Sequence, residues 1–163
     1  GIDPYYLKYV SEQSRYSPPL TNAARKINEN MSHYVVNKYR EIKNKKIDSD
    51  RKLSCLLVGF TFKENCPDVR NTKIFDIYSL LKDSGEEVKV LDPVANKKEC
   101  KDLYGVELLE NLGDLLFDAI FFCVAHDFIS KSGIEKYTQH LKGPKILIDI
   151  KAIFKRQSSH FQL

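Results

Sequence analysis

The chain has 163 residues, 42% hydrophobic and 29% charged, with a formal charge of +4. That suits one domain plus an appendage, and no apolar run approaches the roughly 20 residues a membrane span needs. The basic excess is mild and sits largely in one helical tail (Lys38, Lys43, Lys45, Lys46), read as solvated, so no nucleic-acid partner is expected. No secretory apolar region appears, and a cytoplasmic location is the expectation.

The chain opens on Gly-Ile-Asp-Pro-Tyr-Tyr-Leu without a methionine, which reads as a fragment or as a processed terminus. Pro4 pushes Asp3 toward an extended backbone. Lys8 to Pro19 is polar and tyrosine-containing, closed by Pro18-Pro19. One long helix is predicted from Thr21 to Lys46, capped by Thr21 or Asn22. Ala24, Ile27, Met31, Val35 and Ile42 recur at helical spacing, with Tyr34 and Tyr39 flanking. About 25 residues make a helix on the order of 37 Å long. Part of its apolar stripe is expected to be covered by a second copy or by a further domain. Ile47 to Arg51 reads as a linker, dividing the chain at about residue 50 into a helical region, 1–50, and a sheet domain, 51–163.

Beyond the linker, strands and helices alternate. Leu53 to Gly59 is a near-continuous apolar run, the pattern of a strand buried on both faces of a parallel sheet. A charged loop with Lys63 and Arg70 follows, and Asn71 or Thr72 can cap a helix running to Ser84, with Gly85 placed to end it. Glu87 to Asp92 is a second strand, Asn96 to Tyr104 a basic helix, Val106 to Leu109 a short strand and Leu112 to Leu116 a helical turn. Asp118 to Val124 is a strongly apolar strand, Ile134 to Leu141 a helix, and Lys145 to Ile150 the last strand. The pattern predicts right-handed crossovers and a Rossmann-like α/β parallel sheet.

Ligands of such sheets bind outside the carboxyl ends of the strands. The polar residues predicted there are Lys63, Asp92, His126 and Lys151. Two cations near a helix start suit an anionic, phosphorylated ligand, and a solvated connecting loop is the plainer alternative. His126 reads either as a ligand contact or as a loop-capping imidazole, and Asp92 as a ligand contact or a brace for its own turn. Neither G-x-G-x-x-G nor a P-loop is present. The cysteines, Cys55, Cys66, Cys100 and Cys123, form no C-x-x-C pair, so metal-site and thioredoxin-type readings fail; all four read as structural.

The order of Gly-Ile-Asp-Pro-Tyr-Tyr-Leu, Ala24-Arg25-x-x-Asn28, the loop from Thr61 to Thr72, Asp92-Pro93, Ala125-His126 and Asp149-x-Lys151 resembles the nucleotide-sugar 6-dehydrogenases. The chain looks like the C-terminal part of that UDP-glucose/GDP-mannose dehydrogenase family, nearest the branch acting on UDP-N-acetylhexosamines. The resemblance implies NAD-dependent oxidation of a sugar C6 alcohol to a carboxylate, for surface polysaccharide synthesis, in a homodimer joined through the long helix. It places the NAD domain and the nucleophilic cysteine upstream of Gly1, so this chain alone should be inactive.

Carried over residue by residue, Asp3 matches the carboxylate that assists the cysteine and the hydrolytic water. Phe62 and Lys63 match the pair lining the UDP-sugar site, with Lys63 on the phosphates. Arg70 matches the arginine that reaches toward NAD. Lys151 matches a basic residue near the diphosphate; it is often arginine, and Ala152 stands where glycine is common. A stand-alone nucleotide-binding or dimerisation module with no catalysis is the alternative.

Overall fold

A computed structural model describes residues 3–47 and 51–163, and only the backbone of residues 3–5, 8, 12 and 157. Residues 48–50 of the expected linker and Gly1-Ile2 of the opening motif lie outside it.

Three helices come first: α1 (Asp3–Gln13), α2 (Pro19–Glu29) and α3 (Met31–Lys46). The first half of the polar, tyrosine-containing stretch from Lys8 to Pro19 lies in α1, and the predicted long helix is two helices meeting at Asn30. Pro19 starts α2, where a missing N–H costs nothing. Asn30 interrupts the helix but stays near helical geometry, with φ −83° and ψ −3°. The apolar stripe divides at that point. Ile27 is 63% exposed and α2 buries no side chain, whereas Val35, Val36 and Tyr39 on α3 are sealed in the core.

Tyr39 and Lys43, expected at the flank and in solvent, are buried around a single carboxylate. Glu86 accepts from Lys43 Nζ at 2.6 Å, from the Tyr39 hydroxyl at 3.0 Å and from the Leu53 N–H at 2.6 Å. This joint pins α3 to the start of the first strand. Burial and the neighbouring Cys55 thiol push the Tyr39 hydroxyl pKa far up, and burial pushes Cys55 up to about 12. Both stay protonated at neutral pH.

The sheet has six parallel strands in the order β3-β2-β1-β4-β5-β6: β1 (Ser54–Val58), β2 (Glu87–Leu91), β3 (Leu108–Leu109), β4 (Phe117–Phe122), β5 (Leu141–Asp149) and β6 (Phe161–Gln162). This is the doubly wound order that reverses between β1 and β4. Along β1, Cys55 and Leu57 join one core layer with α3, while Leu56 and Val58 join the layer on the other face. Helices α4 (Ile74–Asp83) and α5 (Lys97–Tyr104) connect β1, β2 and β3, and α6 (Asp127–Ser132) and α7 (Glu135–Thr138) connect β4 to β5.

Four details differ from the sequence reading. Leu112 to Leu116 is a turn, not a helix. The helix expected over Ile134–Leu141 shrinks to α7, because β5 begins at Leu141 instead of Lys145. Its early part passes Gly143-Pro144 through a register shift opposite Asp118, where a Cβ on Gly143 would stand 2.6 Å from Asp118 Oδ1. The short helix α6 and the two-residue strand β6 carry too few residues to show a period.

Candidate functional site

The carboxyl edge of the sheet is built around Asp92, which follows β2 and is completely buried. Its Oδ2 accepts the N–H groups of Phe60 at 2.6 Å and Thr61 at 3.1 Å, and its Oδ1 those of Val94 at 2.9 Å and Ala95 at 3.1 Å. Burial alone would raise this carboxyl's pKa. Hydrogen bonds from His126 and from the Phe60 and Val94 amides outweigh it and hold the pKa below its ordinary value. Asp92 is a brace, though for two loops and not only for its own turn.

His126, also wholly buried, stands between β1 and β4, at the point where the strand order reverses. Its Nδ1 accepts the Asn65 N–H at 2.9 Å, which assigns the ring proton to Nε2. Nε2 donates to Asp92 Oδ2 at 3.1 Å and lies 3.0 Å from Thr61 Oγ1. The crevice that holds the dinucleotide in an ordinary doubly wound sheet is thus filled by the chain's own side chains. A ligand at this edge would have to meet the outside of the loops. Gly59 makes the filling possible: at φ +92°, a Cβ there would stand 2.7 Å from Val124 Cβ and 2.8 Å from Val124 N.

The loop from Phe60 to Lys73 carries three of the residues singled out from the sequence. It is closed by the Phe62 N–H donating to the Asp68 carbonyl at 2.8 Å and by Thr61 Oγ1 donating to the Lys63 carbonyl at 2.9 Å. Its far side is tied to α5, where the Tyr104 hydroxyl donates to the Val69 carbonyl at 2.9 Å. Asn65 and Asn71 take left-handed conformations, φ +55° and +59°, which asparagine tolerates better than most residues. Neither expected cap stands at the N-cap of α4, which is Lys73 without a side-chain cap bond; Thr72, one residue earlier, accepts the Ile74 N–H at 3.2 Å.

On this frame Phe62 is 49% exposed, and Lys63 is exposed with no carboxylate within ion-pairing distance among the described residues. Arg70 is exposed too, but its guanidinium folds back on Asp68, with Nε and one terminal nitrogen at 2.9 and 2.8 Å. Those bonds hold the Asp68 carboxyl pKa down to about 2.

Lys151 follows β5 in a turn organised by buried Asp149, which accepts the Ile153 and Phe154 N–H groups at 3.0 and 2.9 Å. Lys151 is likewise exposed and without an ion pair among the described residues. Val58, Phe122 and Asp149 stand level across β1, β4 and β5. Lys63 and Lys151 therefore leave the same edge from strands two places apart, about 10 Å at the usual strand spacing. The neighbouring Ala152 is held at φ +51°, where a Cβ costs roughly 1–2 kcal/mol. Ala152→Gly is expected to stabilise the fold by about 0.5–1 kcal/mol in urea unfolding. A loss of stability would refute the strain.

Asp3 opens α1, and its side chain lies outside the described portion. Two surface hollows lie elsewhere. One, about 600 Å³, is an apolar space between α2 and α3 beside Ile27 and Tyr34; the other, about 830 Å³, is at the amino edge of the sheet. In the latter, Arg51 and Lys89 face Asp118 and Glu87 at 3.7 and 4.0 Å, so their charge is already answered. Cys55, Cys100 and Cys123 are buried and Cys66 half-buried, all as free thiols.

An all-parallel sheet in this strand order defines a Rossmann-like domain. More narrowly, the chain belongs to the UDP-glucose/GDP-mannose dehydrogenase family: residues 56–156 match that family's UDP binding domain. It is 34% identical to UDP-N-acetyl-D-glucosamine 6-dehydrogenase of Salmonella typhi over all of its own length and 38% of the relative's. It is 35% identical to Protein CapL of Staphylococcus aureus, over 94% of its own length and 36% of the relative's. The chain therefore spans under two fifths of the curated relatives it matches. A UDP-D-ManNAc dehydrogenase structure from Pyrococcus horikoshii superposes with a TM-score of 0.79 at 22% identity, covering 98% of this chain and 36% of that one. That likeness supports the fold. Among the described residues no helix is long and apolar enough to cross a membrane.

Proposed function

We propose that the chain is the C-terminal, UDP-binding portion of a cytoplasmic, NAD-dependent dehydrogenase. That enzyme would oxidise the C6 alcohol of a UDP-N-acetylhexosamine to the uronate, for surface polysaccharide. The observation that carries the reading is Lys63: an exposed ammonium with no ion pair among the described residues, on a braced loop, inside the segment that matches a UDP binding domain. Lys63 and Lys151 meet the diphosphate, and Phe62 offers its ring to the apolar part of the ligand. Lys151 contributes charge but not the planar fork of an arginine.

NAD would supply the hydride acceptor. This chain lacks the glycine-rich phosphate grip, and its share in holding NAD is Arg70, which must first exchange Asp68 for the cofactor. Asp3 orders water near the reacting carbon. Residues 1–50 form the dimerisation region and residues 51–163 the UDP-sugar domain. The exposed residues of α1 and α2, Tyr6, Tyr9, Leu20 and Ile27, suit a homodimer contact. Alone, the chain binds UDP without oxidising the sugar.

Titration calorimetry with UDP tests the reading. Lys63→Ala should weaken binding roughly 10- to 100-fold, the range for losing a charge-assisted hydrogen bond. Equal affinity in both proteins would discard Lys63 as the phosphate contact, and the proposal with it.

A further inference from the structure

We infer that His126 is the positioning residue for Lys63, acting through the Asn65 amide. The inference rests on the reading of Lys63 as the UDP contact. One imidazole holds the loop on both sides of this lysine. Upstream, Nε2 faces Thr61 Oγ1 at 3.0 Å, and that hydroxyl donates to the Lys63 carbonyl at 2.9 Å. Downstream, Nδ1 accepts the Asn65 N–H at 2.9 Å, and the Asn65 side chain continues the hold by exchanging two hydrogen bonds with Asp127, at 2.9 and 3.0 Å. The ring cannot shift, since it is buried, bonded to Asp92 at 3.1 Å and stacked on Phe128 with centroids 5.4 Å apart.

The consequence is pre-organisation. Lys63 carries a flexible side chain, but the backbone beneath it is fixed before any ligand arrives, so less ordering is lost on binding. Together with the Asn65–Asp127 pair, this ring ties the segment Thr61–Asn65, and so the lysine, to the stretch that follows β4.

The two ring nitrogens can be tested separately. His126→Gln places an amide N–H near the position of Nε2, keeping the Asp92 contact and losing the acceptor for Asn65. His126→Asn places an oxygen near Nδ1, keeping the Asn65 bond and losing Asp92. His126→Gln should melt close to the parent chain yet bind UDP about five- to tenfold more weakly, the worth of one net hydrogen bond, with faster hydrogen exchange at the Asn65 amide. His126→Asn should melt earlier and hold UDP within about threefold of the parent. In a Lys63→Ala background the His126→Gln effect should shrink to under about twofold, because the two residues act as one unit.

Parent-like UDP binding by His126→Gln, or an equal loss with and without Lys63, would overturn the positioning role. A Lys63→Ala protein that binds UDP normally would instead overturn the reading beneath it, whatever His126 does. Should His126→Gln not fold, Thr61→Val removes the hydroxyl link to the Lys63 carbonyl. It should weaken UDP several-fold, again only when Lys63 is present, and no change would overturn the inference.

Discussion

Asp92→Ala is expected to destabilise the chain by about 4 kcal/mol or more in urea unfolding at neutral pH. The carboxylate satisfies four backbone N–H groups, at Phe60, Thr61, Val94 and Ala95, together with the His126 ring. A buried donor left without a partner costs about 1–3 kcal/mol, and the four backbone N–H groups lose theirs at once, though not additively. Asp92→Asn should cost less but still measurably. Both carboxylate oxygens act as acceptors, and an amide can offer only one oxygen to two pairs of N–H groups. A loss below about 1 kcal/mol for Asp92→Ala would show that the loops are held by something else.

The same carboxylate sets an acid limit. Its folded-state pKa lies below the ordinary value, so the folded chain takes up this proton less readily than the unfolded one. Its contribution is complete above about pH 4, the unfolded value, and is lost as pH falls through the depressed folded value. Asp92→Ala should therefore lose less stability than the parent between pH 5 and very acid solution.

Glu86→Ala is the second large effect, expected at about 3–5 kcal/mol, the cost of stranding a buried charge. Lys43 and Glu86 side chains are 8% and 2% exposed, and removal of the carboxylate leaves the ammonium, the Tyr39 hydroxyl and the Leu53 N–H without their acceptor. Replacing both partners with apolar residues, Lys43→Met with Glu86→Leu, should recover much of the loss, because no charge then remains buried. If the single and double variants unfold at the same urea concentration, the pair is not what fastens α3 to the sheet.

The comparison of Lys43 with Lys63 shows where sequence reading stops. Both are lysines in polar stretches: the helical tail reads Lys43 as solvated, and the charged loop reads Lys63 as an anion contact or as part of a solvated connection. One is buried against Glu86, 43 positions away, and the other stands exposed, with no ion pair among the described residues. Their difference lies in a partner distant in sequence, which no local window contains. Tyr39 is misplaced for the same reason. The break at Asn30 was hidden because the residue keeps near-helical angles and the apolar spacing runs across it. The helix α6 and the strand β6 are shorter than the windows in which a period can be counted.

The alternation of buried strands and helices, hence a parallel Rossmann-like sheet, is legible in the residues alone, and so is the family, through the wording of the loop from Thr61 to Thr72. Those follow from local rules: apolar runs long enough to be covered on both faces, and residue types at fixed spacing. That Asp92 and His126 serve inside the fold rather than at its surface emerges from the three-dimensional arrangement. That outcome depends on the ends of β1, β2 and β4 meeting in space, where buried N–H groups must find acceptors.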